Sequence, residues 1–306
     1  MTPLASAADA YLKMRRALGF KLYHLTWWLP DFVAFVESQR SPIITAALAV
    51  QWAQQPPDAD PNWWAHRLSA VRGFAKHYRA YEPRTEIPEC PFPRRRVRQP
   101  PHIYSAAEIS ALLALARQLK DRTLSESYTT LLALLAATGM RVGEALALDD
   151  TDVDLKRSLI TVRCGKFGKS RLVPVHPTTS IALQQYVRRR NRRCPHRQSA
   201  SFFVSSTGRR VLHQKFHHVF LRLLAQAGIR GPAGRRARLH DLRHTFAVKT
   251  VGDWYRAGVD VEARVPWLST YLGHVSPSST YWYLSATPEL LDLAGARLER
   301  FWKTQP

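Results

Sequence analysis

A mainly α-helical chain in two domains, with one small β-hairpin, is what three observations predict. Apolar and aromatic side chains recur at helical spacing up to about residue 80. A proline- and arginine-rich stretch then interrupts the pattern between Pro83 and Pro101. Beyond it, a single pair of β-rich runs flanks a glycine-containing turn among further helical segments. With 306 residues, 45% of them hydrophobic, the chain can fill two cores.

The first domain, residues 1–82, reads as helices only. Leu12 and Leu18 precede Gly19; Trp27, Trp28, Phe32, Phe35 and Val36 follow at helical spacing; Trp63, Trp64, Leu68, Val71, Phe74 and Tyr78 form a third apolar stripe. The aromatics are core residues on this reading. Arg67, Arg72 and Lys76 on the last helix are candidates for phosphate contact, with His77 and Arg79 beside them. Residues 83–103 form a linker, because proline at this density excludes helix and favours an extended, semi-rigid chain. Its arginines, Arg94, Arg95, Arg96 and Arg98, favour a strap along a nucleic-acid backbone over a passive spacer.

The second domain, residues 104–306, opens with a capping box, Ser105 to Glu108, ahead of an apolar helix from Ile109 to Leu119. A helix from Tyr128 to Ala137 stops at Gly139, and Arg141 follows as the next helix begins. Leu159–Val162 and Arg171–Val175 are two strands with Lys166 at the hairpin tip and Lys169 beside it. Thr178–Arg193 is a helix ending in a basic run; there Arg188, Arg189 and Arg190 are expected to touch a phosphate backbone. Phe202–Val204 is a short strand, and His213–Ala227 a helix closed by Gly228. Arg235 and Arg236 are further basic candidates leading into His240. Leu242, Phe246, Val248 and Val251 mark a helix, and Pro288 starts a last one, 288–303, with Leu290, Leu291, Leu293, Leu298 and Phe301.

Charge narrows the partner. Forty-five Lys and Arg against 23 Asp and Glu give a formal net charge of +22, far above what solubility requires, and the basic residues are spread through folded segments. Nucleic acid is therefore the expected ligand. Cys90, Cys164 and Cys194 lack the C-x-x-C spacing and cannot all pair, which fits a reducing cytoplasm. No histidine cluster has a cysteine or acidic partner at ligand spacing, so neither a metal nor another cofactor is expected. The start lacks a basic and apolar leader, and no run reaches the ~18–20 apolar residues of a membrane span. A soluble, unprocessed protein is expected.

Chemistry gathers in Leu239–Tyr283. On a helix, His240 and Arg243 lie one turn apart, about 5–6 Å at Cβ, which pairs an acid/base group with a fixed cation. Arg141, Lys166, His274 in Leu272-Gly273-His274, and the tyrosines Tyr281 and Tyr283 complete a set suited to phosphoryl transfer. These motifs, in this order, resemble the tyrosine recombinases, also called phage-integrase-type recombinases: A-T-G-x-R-x-x-E at Arg141 and Glu144, a hairpin lysine at Lys166, H-x-x-R at His240 and Arg243, and L-G-H at His274. The likeness covers about the C-terminal two-thirds. The segment between Arg243 and His274 is longer than in compact Xer-type members and looks like that of transposon-borne ones.

The resemblance implies a helical core-binding domain and a mixed α/β catalytic domain that together clamp double-stranded DNA. It also selects Tyr283, nine residues after His274, over Tyr281 as the nucleophile. The implied roles follow chemical need. A nucleophile that stays attached keeps the phosphodiester energy in a 3′-phosphotyrosine. His240 receives the tyrosine proton and Lys166 protonates the 5′-oxygen. Arg141 and Arg243 meet the transition-state charge, with His274 hydrogen-bonding the same oxygens. Glu144 orients a neighbouring group. The expected activity is site-specific recombination or integration for a mobile element, by a tetramer on paired DNA sites, with accessory recombination proteins among the partners the resemblance allows. A type IB topoisomerase and a non-catalytic DNA-binding regulator are the rival readings.

Overall fold

Residues 2–92, 100–163, 170–274, 276, 280–281, 292 and 295 are described by the computed structural model, in which the chain divides into two units, Met1–Arg98 and Gln99–Pro306. Lys166, Lys169, Tyr283, the arginines Arg94, Arg95, Arg96 and Arg98, and nearly all of the expected 288–303 helix lie outside the described residues.

Three helix starts in the first unit follow from side-chain caps. α1 (Pro3–Ala17) begins with Thr2 accepting from the Ala5 amide, α3 (Ala46–Ala53) with Thr45 accepting from Leu48, and α4 (Pro61–Tyr78) with Asp60 accepting from Asn62. Proline at the first position of α1 and α4 has no amide to satisfy there. With α2 (Leu25–Ser38), these helices close over Leu29, Phe32, Val36, Trp52, Leu68, Val71 and Phe74, as their apolar spacing requires. The 83–92 stretch holds neither helix nor strand, and a turn occupies residues 83–84. It also packs on this unit: Phe92 and Thr85 are buried, and the Glu86 amide donates to Ile44 O at 2.9 Å.

The second unit is built around α6 (Arg122–Thr138), whose Leu131, Leu134 and Leu135 are almost fully buried. α5 (Ala106–Arg117) carries the reciprocal capping box, with Glu108 N–H donating to Ser105 Oγ and Ser105 N–H to Glu108 Oε2. After α7 (Val142–Ala147), a 3-10 turn leads into an antiparallel sheet of order β1-β2-β3: Val153–Asp154, Leu159–Val162 and Arg171–Pro174. The register pairs Ile160 with Val173 and Val162 with Arg171, so the two expected strands pair antiparallel. Its partner β1, two residues long, carries too little pattern to be read from sequence. α8 (Pro177–Arg193), α9 (His213–Gln226), α10 (Asp241–Arg256) and α11 (Val261–Leu272) complete the unit. α10 and α11 share a small core of Val248, Val251, Val265, Leu268 and Leu272.

Phe202–Val204 is not a strand; only isolated bridges, Asp149–Ser201 and Val204–Arg210, flank it. The reason is that all three residues are buried without alternation and side chains take three of their backbone groups, while the Phe202 amide donates to Leu148 O and Phe203 O accepts from Val211. Arg190 donates to Phe202 O, Ser127 to Val204 O, and the Val204 amide to the Tyr186 hydroxyl.

Candidate active site

Two glycines in the left-handed region assemble the site. Gly139 ends α6 with φ 60° and Gly273 ends α11 with φ 69°, conformations that side chains with a Cβ rarely adopt. Space demands glycine as well. A Cβ on Gly139 would sit 2.6 Å from the Phe246 ring, and one on Gly273 would sit 2.8 Å from Arg171 Nη1. The turn after Gly139 delivers Arg141, and the turn after Gly273 delivers His274.

Helix α11 ends with carbonyls that have no further turn to accept from, at the negative end of the helix dipole. Three arginines from three different elements take three consecutive ones. Arg171 Nε donates to Tyr271 O at 2.8 Å, Arg243 Nη2 to Leu272 O at 2.7 Å, and Arg141 Nη2 to Gly273 O at 2.9 Å. Arg243 Nη1 also donates to Gly139 O at 2.9 Å, so one side chain fastens both glycine turns together. Arg243 is 2% exposed, whereas the Arg141 side chain is 24% exposed. Of the two cations, Arg141 presents the more open face.

Glu144 is the counter-ion of this cluster. It accepts from the Arg141 amide and Nη1 at 3.1 and 2.7 Å, and from Arg171 Nη1 and Nη2 at 3.1 and 2.8 Å. Burial alone would raise its pKa, but the bonds and charge of Arg171, then of Arg141, hold it at about 2. It stays ionised, and its hydrogen bonds tie Arg141 to Arg171.

The histidines are kept neutral. His240 stands just before α10 with an exposed face, yet desolvation, then Arg243 and Arg141, keep its ring below the ordinary value despite Asp241. Its ring meets the buried His244 edge to face at 4.8 Å. Burial and the surrounding cations bring His244 and His274 each down to about 3. His274 Nδ1 lies 2.7 Å from the hydroxyl of the fully buried Thr280, next to the exposed Tyr281. A neutral imidazole beside two guanidinium groups can accept a proton while the cations hold an anion in place.

Comparison with known proteins bears on this arrangement. The pattern of the phage integrase family matches residues 104–289. The chain is 42% identical over 313 residues to a protein of Sinorhizobium fredii named as an integrase/recombinase, y4rB, covering 99% of both. It is 28% identical over 228 residues to the tyrosine recombinase XerC of Chlamydia caviae, covering 73% of this chain and 67% of the relative. Among solved structures, the Tn1549 transposon integrase in complex with transposon right end DNA superposes with a TM-score of 0.66 at 17% identity, over 96% of this chain and 98% of that one.

The chain belongs to the phage integrase family. It is accordingly a tyrosine recombinase, an enzyme of DNA strand cleavage and rejoining.

Among the candidate DNA contacts, the fold of this recombinase sets two aside. Arg67 is 8% exposed, lies over the Trp52 ring at 3.9 Å and donates to Trp52 O, because its stripe on α4 faces the core. Arg190 is 2% exposed and bonded to Asp150 and Phe202 O, which ties it to the 202–204 segment. Arg189 is half-buried near Glu126, and Arg72 is half-buried too. Lys76, Arg188, Arg235 and Arg236 are exposed. Sequence reasoning missed Arg171 and His244. The signal for Arg171 was indirect: a buried glutamate flanked by one arginine calls for a second cation.

Proposed function

We propose that the enzyme exchanges strands between double-stranded DNA sites through a 3′-phosphotyrosine on Tyr283. The Tyr283 oxygen attacks the phosphorus, the bond to the 5′-oxygen breaks, His240 takes the tyrosine proton and Lys166 supplies one to the leaving oxygen; rejoining runs the same steps backwards. Arg141, Arg243 and His274 hold the phosphate oxygens. The observation that carries this reading is the cluster at the end of α11, where both arginines and His274 converge beside a neutral His240.

The remaining assignments rest on sequence and kinship. Residues 1–82 grip DNA, residues 83–103 strap its backbone, and residues 104–306 carry the chemistry. The protein acts in the cytoplasm as a tetramer on paired sites, as the integrase or transposase of a mobile element, with accessory proteins as further partners. Two variants test the chemistry on a nicked duplex. Tyr283→Phe should bind DNA normally yet leave no denaturant-stable complex, while Tyr281→Phe should still leave one. Swapped phenotypes would reject Tyr283.

A further inference from the structure

Arg171 is the third arginine on the end of α11 and the one to which no role has been given. It is the first residue of β3, and its side chain is 12% exposed. Three of its nitrogens are committed: Nε to Tyr271 O, and Nη1 and Nη2 side by side to the two oxygens of Glu144. That fork matches the carboxylate in a way a lysine ammonium cannot. Glu144 in turn holds Arg141, and Arg141 holds Gly273 O, one residue before His274. The close approach of the Arg171 guanidinium to Gly273 completes a closed ring of contacts: Arg171, Glu144, Arg141, the Tyr271–Gly273 turn, and Arg171 again.

We propose that Arg171 is a positioning residue of the recombination reaction, fixing Arg141 through Glu144 and fixing His274 through the end of α11, without touching the phosphate itself. This rests on the assignment of Arg141 and His274 to the scissile phosphate. Without Arg171, Glu144 keeps Arg141 as its partner but loses the bond that sets its plane, and the Tyr271 carbonyl loses its donor. A displacement of Arg141 of about 1 Å is enough to slow such chemistry by as much as about 100-fold, because the charge must be met where it develops.

The test is single-turnover cleavage of a nicked duplex at saturating full-length protein, with DNA affinity measured alongside. Arg171→Gln should leave affinity within about twofold and slow cleavage about 10- to 100-fold, with Arg171→Lys in between. The defect should persist on a 5′-bridging phosphorothiolate, whose leaving group needs no proton, whereas the same substrate rescues Lys166→Ala. In a Glu144→Gln background, Arg171→Gln should cost much less than in the wild type, since both act through one carboxylate. Cleavage within about threefold of wild type, full rescue by the sulfur leaving group, or simple additivity with Glu144→Gln would each overturn the proposal. If Arg171→Gln does not fold, Arg171→Lys decides by the same comparisons. Arg141→Ala separates the two layers: wild-type cleavage by that variant would remove the phosphate assignment itself, whatever Arg171 does.

Discussion

Replacing Gly139 by alanine, with Gly143→Ala as its control, probes the turn on which the arginines proposed to hold the phosphate depend. The two glycines are four residues apart and differ in every physical respect that matters. Gly139 has φ 60°, and an added Cβ would meet Phe246 Cδ1 at 2.6 Å, Phe246 Cγ at 3.0 Å and Leu272 Cδ2 at 3.1 Å. A left-handed conformation costs a residue with a Cβ about 1–2 kcal/mol, and overpacking against a ring held in a core adds about 1–3 kcal/mol. Together these predict a loss of about 2–5 kcal/mol. Gly143 lies inside α7 with nothing within 4 Å of its added Cβ, so alanine there should be neutral or should stabilise by about 0.5–1 kcal/mol. Native-state hydrogen exchange of the α6 and α10 amides reads the stability of this unit by itself. Because Gly139 O accepts from Arg243, Gly139→Ala should also slow cleavage. Equal effects of the two substitutions, or a loss below about 0.5 kcal/mol at Gly139, would refute the role given to the turn.

Other expectations follow from charge and assembly. Since burial and nearby charged groups hold His244 and His274 at about 3, the unfolded chain takes up protons first as pH falls; stability is complete above the ordinary histidine range and declines as pH falls towards 3, which urea unfolding across pH 5–8 measures. Changing Arg94, Arg95, Arg96 and Arg98 to Ala should weaken all DNAs about equally and reduce the salt slope by up to about 0.9 per lost contact; an unchanged slope would reject the strap. Deleting residues 288–306, whose sequence is rich in leucine and includes Phe301, should leave single-site binding nearly intact and abolish the paired-site complex, as gel mobility would show; tetramers formed by the truncated protein would place subunit contact elsewhere.

What the sequence made legible was local. The Gly139 stop, Arg141 after it, the Ser105–Glu108 box and the paired strands each follow from residues within a few positions of one another, and all appear in the fold. What it hid was contact over long separations. Arg171 meets Glu144 across 27 residues and Tyr271 across 100, and no periodicity encodes that. Arg67 and Arg190 misled for a related reason: a charge on a helix is read as solvent-facing, yet a guanidinium over Trp52, or bonded to Asp150 and Phe202 O, is satisfied inside. Phe202–Val204 had strand composition, but buried side chains claimed its backbone. The helix α11 was concealed by Pro266 in its interior, although Asp260 caps its start and Gly273 its end.

The central claim is that one tyrosine, brought to the arginine cluster at the end of α11, becomes joined to DNA. Trapping the wild-type protein on a nicked duplex, digesting both components and sequencing the nucleotide-bearing peptide by mass spectrometry identifies the attached atom directly. A 3′-nucleotide on Tyr283 is the predicted result; attachment to Tyr281, to any other side chain, or through a 5′-phosphate would contradict the account.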